Sequence, residues 1–322
     1  MPFETIENTL YIMKKIIVTL ATIVLALGAA NAQDIASVTE LYNNAATALN
    51  DGNKTEALQM FNDVLSQAQA LGEDGAELVS DCQTFIPKII TSIAKDLIKG
   101  EDYDGAIAKL GEAIETAKNF NAEEALADAQ ELLPQVIKQK GTSLLKAKDY
   151  AGAAEVYKGI VEADPTDGAS AIRLGQALNA LGNADEAIAA FEQAAANGQE
   201  ATANKQISNI YLKKAAAALK AKKYADAVEA AVKTADYSDN AQAWQIAGQA
   251  SQLAGKTTDA ISYFEKYLEV SPNAKNAGQI AYTVGALYQQ NKNNAKAKEY
   301  YTKALSDAKY GAEAKKLLDA LK

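Results

Sequence analysis

The sequence predicts an all-α chain, a right-handed superhelical solenoid of about seven helix pairs, on three observations. The first is composition. Hydrophobic residues make up 48% of 322 residues and only 5 are Pro, so the chain can bury a core, and its Ala-rich remainder favours helix over strand. The second is repetition. One phrase recurs as Gly100-Glu-Asp-Tyr-Asp-Gly-Ala-Ile107, Lys148-Asp-Tyr-Ala-Gly-Ala-Ala154, Gly182-Asn-Ala-Asp-Glu-Ala-Ile188, Lys222-Lys-Tyr-Ala-Asp-Ala-Val228 and Gly255-Lys-Thr-Thr-Asp-Ala-Ile261, with fainter copies at 52–58 and 293–298. The third is what surrounds each copy.

The Ala of each phrase serves as an anchor: Ala57, Ala106, Ala153, Ala187, Ala227, Ala260 and Ala297. Twelve residues earlier stand Ala45, Ala94, Gly141, Gly175, Ala215, Gly248 and Gly285, all small. Four residues later stand Phe61, Leu110, Tyr157, Phe191, Ala231, Phe264 and Tyr301, bulky in all but one. A small residue on a first helix lets a second helix cross it closely, and the anchor Ala is the expected small residue opposite. The bulky group one turn on is expected to fill the space beside them. A period-2 pattern is absent, and a plain helical bundle is the competing architecture.

In order along the chain, the first segment is an address. Met13-Lys14-Lys15, the apolar run 16–27 and Ala30-Asn31-Ala32 describe a signal peptide over residues 1–32 with a cut after Ala32. Residues 1–12 carry Glu4 and Glu7 ahead of the basic stretch, which marks them as an upstream extension with the true start at Met13. The run is short for a bilayer span, so no retained membrane span is expected and the destination is the periplasm or the cell exterior of a bacterium. The solenoid then occupies 33–322, with units near 36–72, 73–120, 121–166, 167–199, 200–239, 240–273 and 274–310 and a capping helix over 311–322.

Successive anchors lie 49, 47, 34, 40, 33 and 37 residues apart, so the N-terminal units are long. Pro87 and Pro134 each lie 19 residues before an anchor, behind the amphipathic stretches 76–85 and 122–132. These are expected to be extended or additional first helices entering the repeat at the Pro. Pro165 and Pro272 fall where one helix stops and the next starts.

The register Trp244, Ala247-Gly248, Ala260, Phe264, Pro272 resembles the tetratricopeptide repeat, and Leu174-Gly175, Ala187, Phe191 and Gly141, Ala153, Tyr157, Pro165 resemble it next best. The resemblance spans roughly 36–310. It implies a protein-binding scaffold whose first helices line a concave groove for an extended peptide or a partner's helix, through positions 18, 15, 11, 8 and 7 residues before each anchor. In the second and third units these positions include Lys88, Lys95, Lys99, Lys138 and Lys146. In the sixth they become Gln242, Gln245, Gln249 and Gln252, and in the seventh Gln279, Tyr282, Gln289 and Gln290. A basic end would suit an acidic segment, and an amide-rich end a backbone or a sugar. Lys and Gln are also good helix formers on exposed faces. The Lys–Asn–Arg clamp that some members use for C-terminal carboxylates is not reproduced, because Thr142 stands where its first Asn would be.

Chemistry is not expected. The chain has no His, which removes the commonest general base and metal ligand, and its one Cys, Cys82, reads as a small buried hydrophobe. No phosphate loop, metal motif or nucleophile elbow is present, so no catalytic residue, cofactor or metal is expected. A net charge of -9 argues against nucleic acid. The expectation is an envelope adaptor for other proteins or peptides. Self-association into a structural array, or binding of a glycan or other polymer, are the alternatives.

Overall fold

The computed structural model describes residues 31–321, and the expected leader over 1–32 lies almost wholly outside them. Among the described residues the chain is helical throughout, in two compact units that meet between Ala147 and Lys148. The first holds α1 (Asn31–Asn50), α2 (Lys54–Ala70), α3 (Ala76–Lys99), α4 (Tyr103–Phe120) and α5 (Glu123–Lys146). The second holds α6 (Tyr150–Ala163), α7 (Gly168–Leu181), α8 (Ala184–Ala194), α9 (Glu200–Lys220) and α10 (Tyr224–Thr234). It continues with α11 (Ala241–Leu253), α12 (Thr257–Val270), α13 (Ala277–Gln290), α14 (Asn294–Ala304) and α15 (Gly311–Ala320). Within each unit every helix packs against the one before it and the one after it, which is the arrangement of a solenoid and not of a bundle about one axis.

The recurring phrase is a turn. The residue five before each anchor adopts a left-handed backbone: Gly52, Glu101, Lys148, Gly182, Lys222, Gly255 and Lys292, with φ between 60° and 88°. The next residue closes the helix end by donating its N–H to a carbonyl five residues back, as in Asp102 to Leu97 and Asn183 to Leu178 at 2.9 and 3.0 Å. Asp102, Asp149 and Asn293 then cap the second helix by accepting from the N–H three residues on. Within each unit one turn geometry thus fixes how a second helix folds back on its first.

The core follows the anchor register. All seven anchor alanines are fully buried, as are Phe61, Leu110, Phe191, Ala231 and Tyr301, with Tyr157 and Phe264 nearly so. The packing partner differs from the expectation. A methyl added to Gly175 would lie 2.7 Å from the Phe191 ring, one on Gly248 2.5 Å from Phe264, and one on Gly285 2.7 Å from Tyr301. The first-helix glycine is therefore covered by the ring itself, and the anchor Ala lets the ring-bearing helix come that close. Where the ring is missing, Ala215 and Ala231 are both fully buried in a small cluster with Ala243, Ile246 and Ala247.

Of the two expectations at the prolines, extended or additional first helices, the structure has the extended one. Pro87 and Pro134 sit inside single helices of 24 residues, α3 and α5, so no separate helix precedes either repeat. In α3 the buried residues Leu78, Cys82, Ile86, Ile89 and Ile90 form one stripe that runs through the proline. Burying that stripe outweighs the one backbone hydrogen bond a proline removes.

Two substitution sets test this account. Glu101→Gly, Lys222→Gly and Lys292→Gly each relieve a strained left-handed residue and are expected to stabilise by about 0.5–1 kcal/mol. Gly248→Ala is expected to cost about 1–3 kcal/mol by overpacking against Phe264, whereas Gly159→Ala, with nothing within 4 Å of the added methyl, should be neutral or stabilising. Thermal unfolding followed by circular dichroism reads all five, and a Gly248→Ala chain that melts no lower than the parent would refute the ring-on-glycine packing.

Candidate functional site

The face of interest is that of the first helices, α1, α3, α5 in one unit and α7, α9, α11, α13 in the other. Two pairs of successive first helices touch, α3 with α5 and α9 with α11, while successive second helices make no contact of comparable extent among the described residues.

In the first unit two of the five expected basic residues are answered by carboxylates. Lys88 pairs with Glu124 of α5 at 2.6 Å, and Lys99 pairs with Asp96 at 3.0 Å. Asp96 also takes Lys54 of α2. Burial pushes the Asp96 carboxyl up, but the Lys54 and Lys99 ammonium groups outweigh it and hold it below the usual carboxylate range. Lys95, Lys138 and Lys146 are exposed. The surrounding field is acidic: residues 34–147 carry 19 Asp and Glu against 9 Lys, net -10, whereas residues 148–322 carry 20 against 21 Lys and Arg. Nearly all of the chain's negative charge therefore belongs to the first unit.

A depressed Asp96 contributes stability that is present above its unfolded pKa and lost as pH falls through the folded one. Acid unfolding of the chain should therefore begin at lower pH than that of Asp96→Asn with Lys54 and Lys99 left unpaired, and the difference between the two should disappear below both pKa values. Because Lys54 and Asp96 are part-exposed, the gap at neutral pH is expected to be under about 1 kcal/mol and to shrink in 1 M NaCl. A pH titration of ellipticity with and without salt measures it.

In the second unit the amides divide into two kinds. Gln242, Gln252, Gln279 and Gln290 are exposed and Gln249 is half-buried. Gln245 and Gln289 are held. The Gln289 Oε1 accepts from the Tyr301 hydroxyl at 2.7 Å. The Gln245 Oε1 accepts from Asn276 Nδ2 at 3.3 Å, and Asn276 Oδ1 accepts in turn from the Tyr267 hydroxyl at 2.5 Å. Asn276 stands at the N-cap of α13 yet makes no capping bond with its side chain. Tyr282 is half-buried, its ring 5.2 Å from Tyr310 and 5.8 Å from Tyr301, so it contributes packing at the C-terminal end as well as surface.

Sequence reasoning missed the partners Tyr267, Asn276 and Tyr301. Only the last left a signal, a Tyr where three other units place Phe. It also missed a strip along the second helices: Lys233, Lys266 and Lys303, each six residues past an anchor, lie 5.8, 4.4 and 4.2 Å from the ring centres of Tyr211, Trp244 and Tyr300. Beside that strip Glu265 accepts from the Tyr288 and Tyr300 hydroxyls at 2.7 and 2.8 Å, and burial, followed by Glu265, pushes Tyr288 up to about 12. A cleft of about 770 Å³ opens there, lined by Glu265, Glu269, Glu299, Lys303 and Asp307 among others.

None of these groups forms a catalytic constellation. Cys82 is fully buried, and burial followed by Asp81 pushes its thiol up to about 12. Among the described residues no group of three His, Cys, Asp or Glu could hold a metal ion, and no helix is long and apolar enough to cross a membrane.

Comparison with known proteins places this geometry. Three family profiles, each described as tetratricopeptide repeat, match residues 144–205, 212–275 and 278–306. Among solved structures the chain is similar to a MamA protein at 19% identity and a TM-score of 0.34, over 56% of this chain and 93% of that one. It is similar to a MamA fragment from Desulfovibrio magneticus RS-1 at 18% identity and a TM-score of 0.30, over 57% and 96%. It is also similar to PilW, described as a widely conserved type IV pilus biogenesis factor, at 19% identity and a TM-score of 0.30, over 72% and 98%. No curated protein sequence matches it.

Proposed function

Because the chain belongs to the tetratricopeptide repeat family, a family of protein-interaction scaffolds, we propose that it is a non-enzymatic adaptor of the bacterial envelope that holds a segment of a partner protein against its first helices. The observation that carries this reading is the first-helix face of the second unit. It presents Gln242, Gln249 and Gln252 of α11 and Gln279 and Gln290 of α13 to solvent or nearly so. Neutral amides can satisfy a peptide backbone without the desolvation cost of charge. Placement in the envelope rests on the leader pattern of residues 13–32.

An acidic segment is the weaker occupant. Lys88 and Lys99 are already paired, and the unit that holds them carries net charge -10, which repels an incoming carboxylate.

Site-directed photo-crosslinking tests the proposal. A benzoylphenylalanine at Gln249, on the first-helix face, should capture a discrete partner in cells of the source bacterium. The same group at Ser262, exposed on α12, should capture none. Adducts from Ser262 alone would place binding on the other face, and an adduct of twice the chain mass in purified protein would replace the adaptor with self-association.

A further inference from the structure

The two held amides differ from the free ones in direction. A glutamine side chain offers one acceptor oxygen and two donor hydrogens, and free rotation lets it present either end. At Gln289 the oxygen is taken by the hydroxyl of Tyr301, a fully buried residue whose ring lies across Gly285 one turn earlier on the same helix. At Gln245 the oxygen is taken by Asn276, whose own oxygen is fixed by the buried Tyr267. Both relays start at a tyrosine hydroxyl that donates to an amide oxygen, and both end with the Nε2 hydrogens unused. Among the described residues the one fully buried side-chain atom without a partner is Asn43 Oδ1, so neither Nε2 group is sealed from solvent, and both glutamines are half-buried.

The relay at Gln245 is built at some expense. Asn is a preferred N-cap, and a capping bond contributes about 1 kcal/mol, yet Asn276 spends its side chain on bridging Tyr267 to Gln245.

We propose that Gln245 and Gln289 are a pair of fixed hydrogen-bond donors that recognise main-chain carbonyl oxygens of an uncharged, extended segment of the partner protein. This rests on the adaptor reading and specifies its ligand. Gln245 meets Asn276 at the start of α13, and Gln289 lies 13 residues further along that helix. At about 1.5 Å per residue the two donors are roughly 20 Å apart, the span of about six extended residues. The four first helices of this unit add, at the expected groove positions, one cation, Lys220, and no carboxylate. Recognition should therefore be insensitive to salt.

The test starts from a phage-displayed library of random 12-residue peptides panned on the full purified chain, with the best peptide then synthesised and titrated by fluorescence anisotropy. The expected winners carry no excess of Asp and Glu and bind within twofold of the same affinity in 0.15 and 1 M NaCl. Gln245→Glu and Gln289→Glu keep an oxygen for Asn276 or Tyr301 but remove the outward donors, and each should weaken binding about tenfold. Tyr301→Phe, which keeps the ring on Gly285 and frees the amide, should weaken it severalfold, and peptides cut below about six residues should lose the Gln289 dependence. Melting curves within a few degrees of the parent establish that each variant is folded.

Tight binders indifferent to both Gln→Glu changes would overturn the donor pair and leave the adaptor reading standing. So would acidic winners whose binding collapses in 1 M salt and on Lys95→Glu. A library that yields no binder, with or without binding of an uncharged oligosaccharide such as maltohexaose, would overturn both.

Discussion

The structure depends on one recurring constraint: a bulky side chain of a second helix must lie flat on a residue of the first helix that has almost no side chain. Where that residue is glycine the approach is closer than any Cβ would permit, since a methyl added at Gly175, Gly248 or Gly285 would lie only 2.5–2.7 Å from the ring. Close approach brings both helices within dispersion range along their length, and the anchor alanines, all fully buried, keep the rest of the crossing equally tight. Register follows from it, because the ring can seat at one place only. With register fixed, the left-handed turn five residues before each anchor needs to supply direction and little stability, and Lys or Glu can stand where Gly would be less strained.

The same constraint places the polar groups of the proposed binding face. In three units the covering ring is Phe, which ends in a C–H. In the last it is Tyr301, whose hydroxyl continues past Gly285 and reaches Gln289 four residues on. A packing position thereby becomes a means of orienting a surface amide from beneath. The charged residues behave differently. Lys140 with Asp104 and Lys214 with Asp185 tie the start of one second helix to the first helix of the next pair, in the same register each time, at 2.5 and 2.7 Å. These pairs are exposed and each adds little to stability, but they occupy charge that would otherwise be open to a ligand.

What could be read from the sequence was what repeats locally. The anchor Ala, the small residue twelve before it and the ring four after it lie within seventeen residues, and seven copies gave both the helix pairs and the buried faces. The turn was half legible: Gly52, Gly182 and Gly255 declare a left-handed residue, while Glu101, Lys148, Lys222 and Lys292 hide it. Whether α3 continues through Pro87 stayed open between an extended and an additional helix, because local rules weigh a proline's lost hydrogen bond and cannot weigh a stripe of five buried residues on both sides of it. The candidate site was least legible. Positions alone put Lys88 and Lys99 among ligand-binding residues, and only the fold brings Glu124 to Lys88 from 36 residues away.

The relay at Gln245 shows why that last layer escapes sequence reasoning. Tyr267, Asn276 and Gln245 belong to three different elements, the link from Asn276 to Gln245 crosses 31 residues, and none of the three departs from what its own position prefers. A buried Tyr near a helix end needs a partner for its hydroxyl, an Asn before a helix suggests a cap, and a Gln on a first helix suggests solvent. Each local reading is reasonable, and together they would leave the Tyr267 hydroxyl buried without a partner. Satisfying that one donor is what diverts Asn276 from its cap and turns the Gln245 amide outward, so the polarity this face offers a partner is set by a hydrogen-bond requirement in the core beneath it.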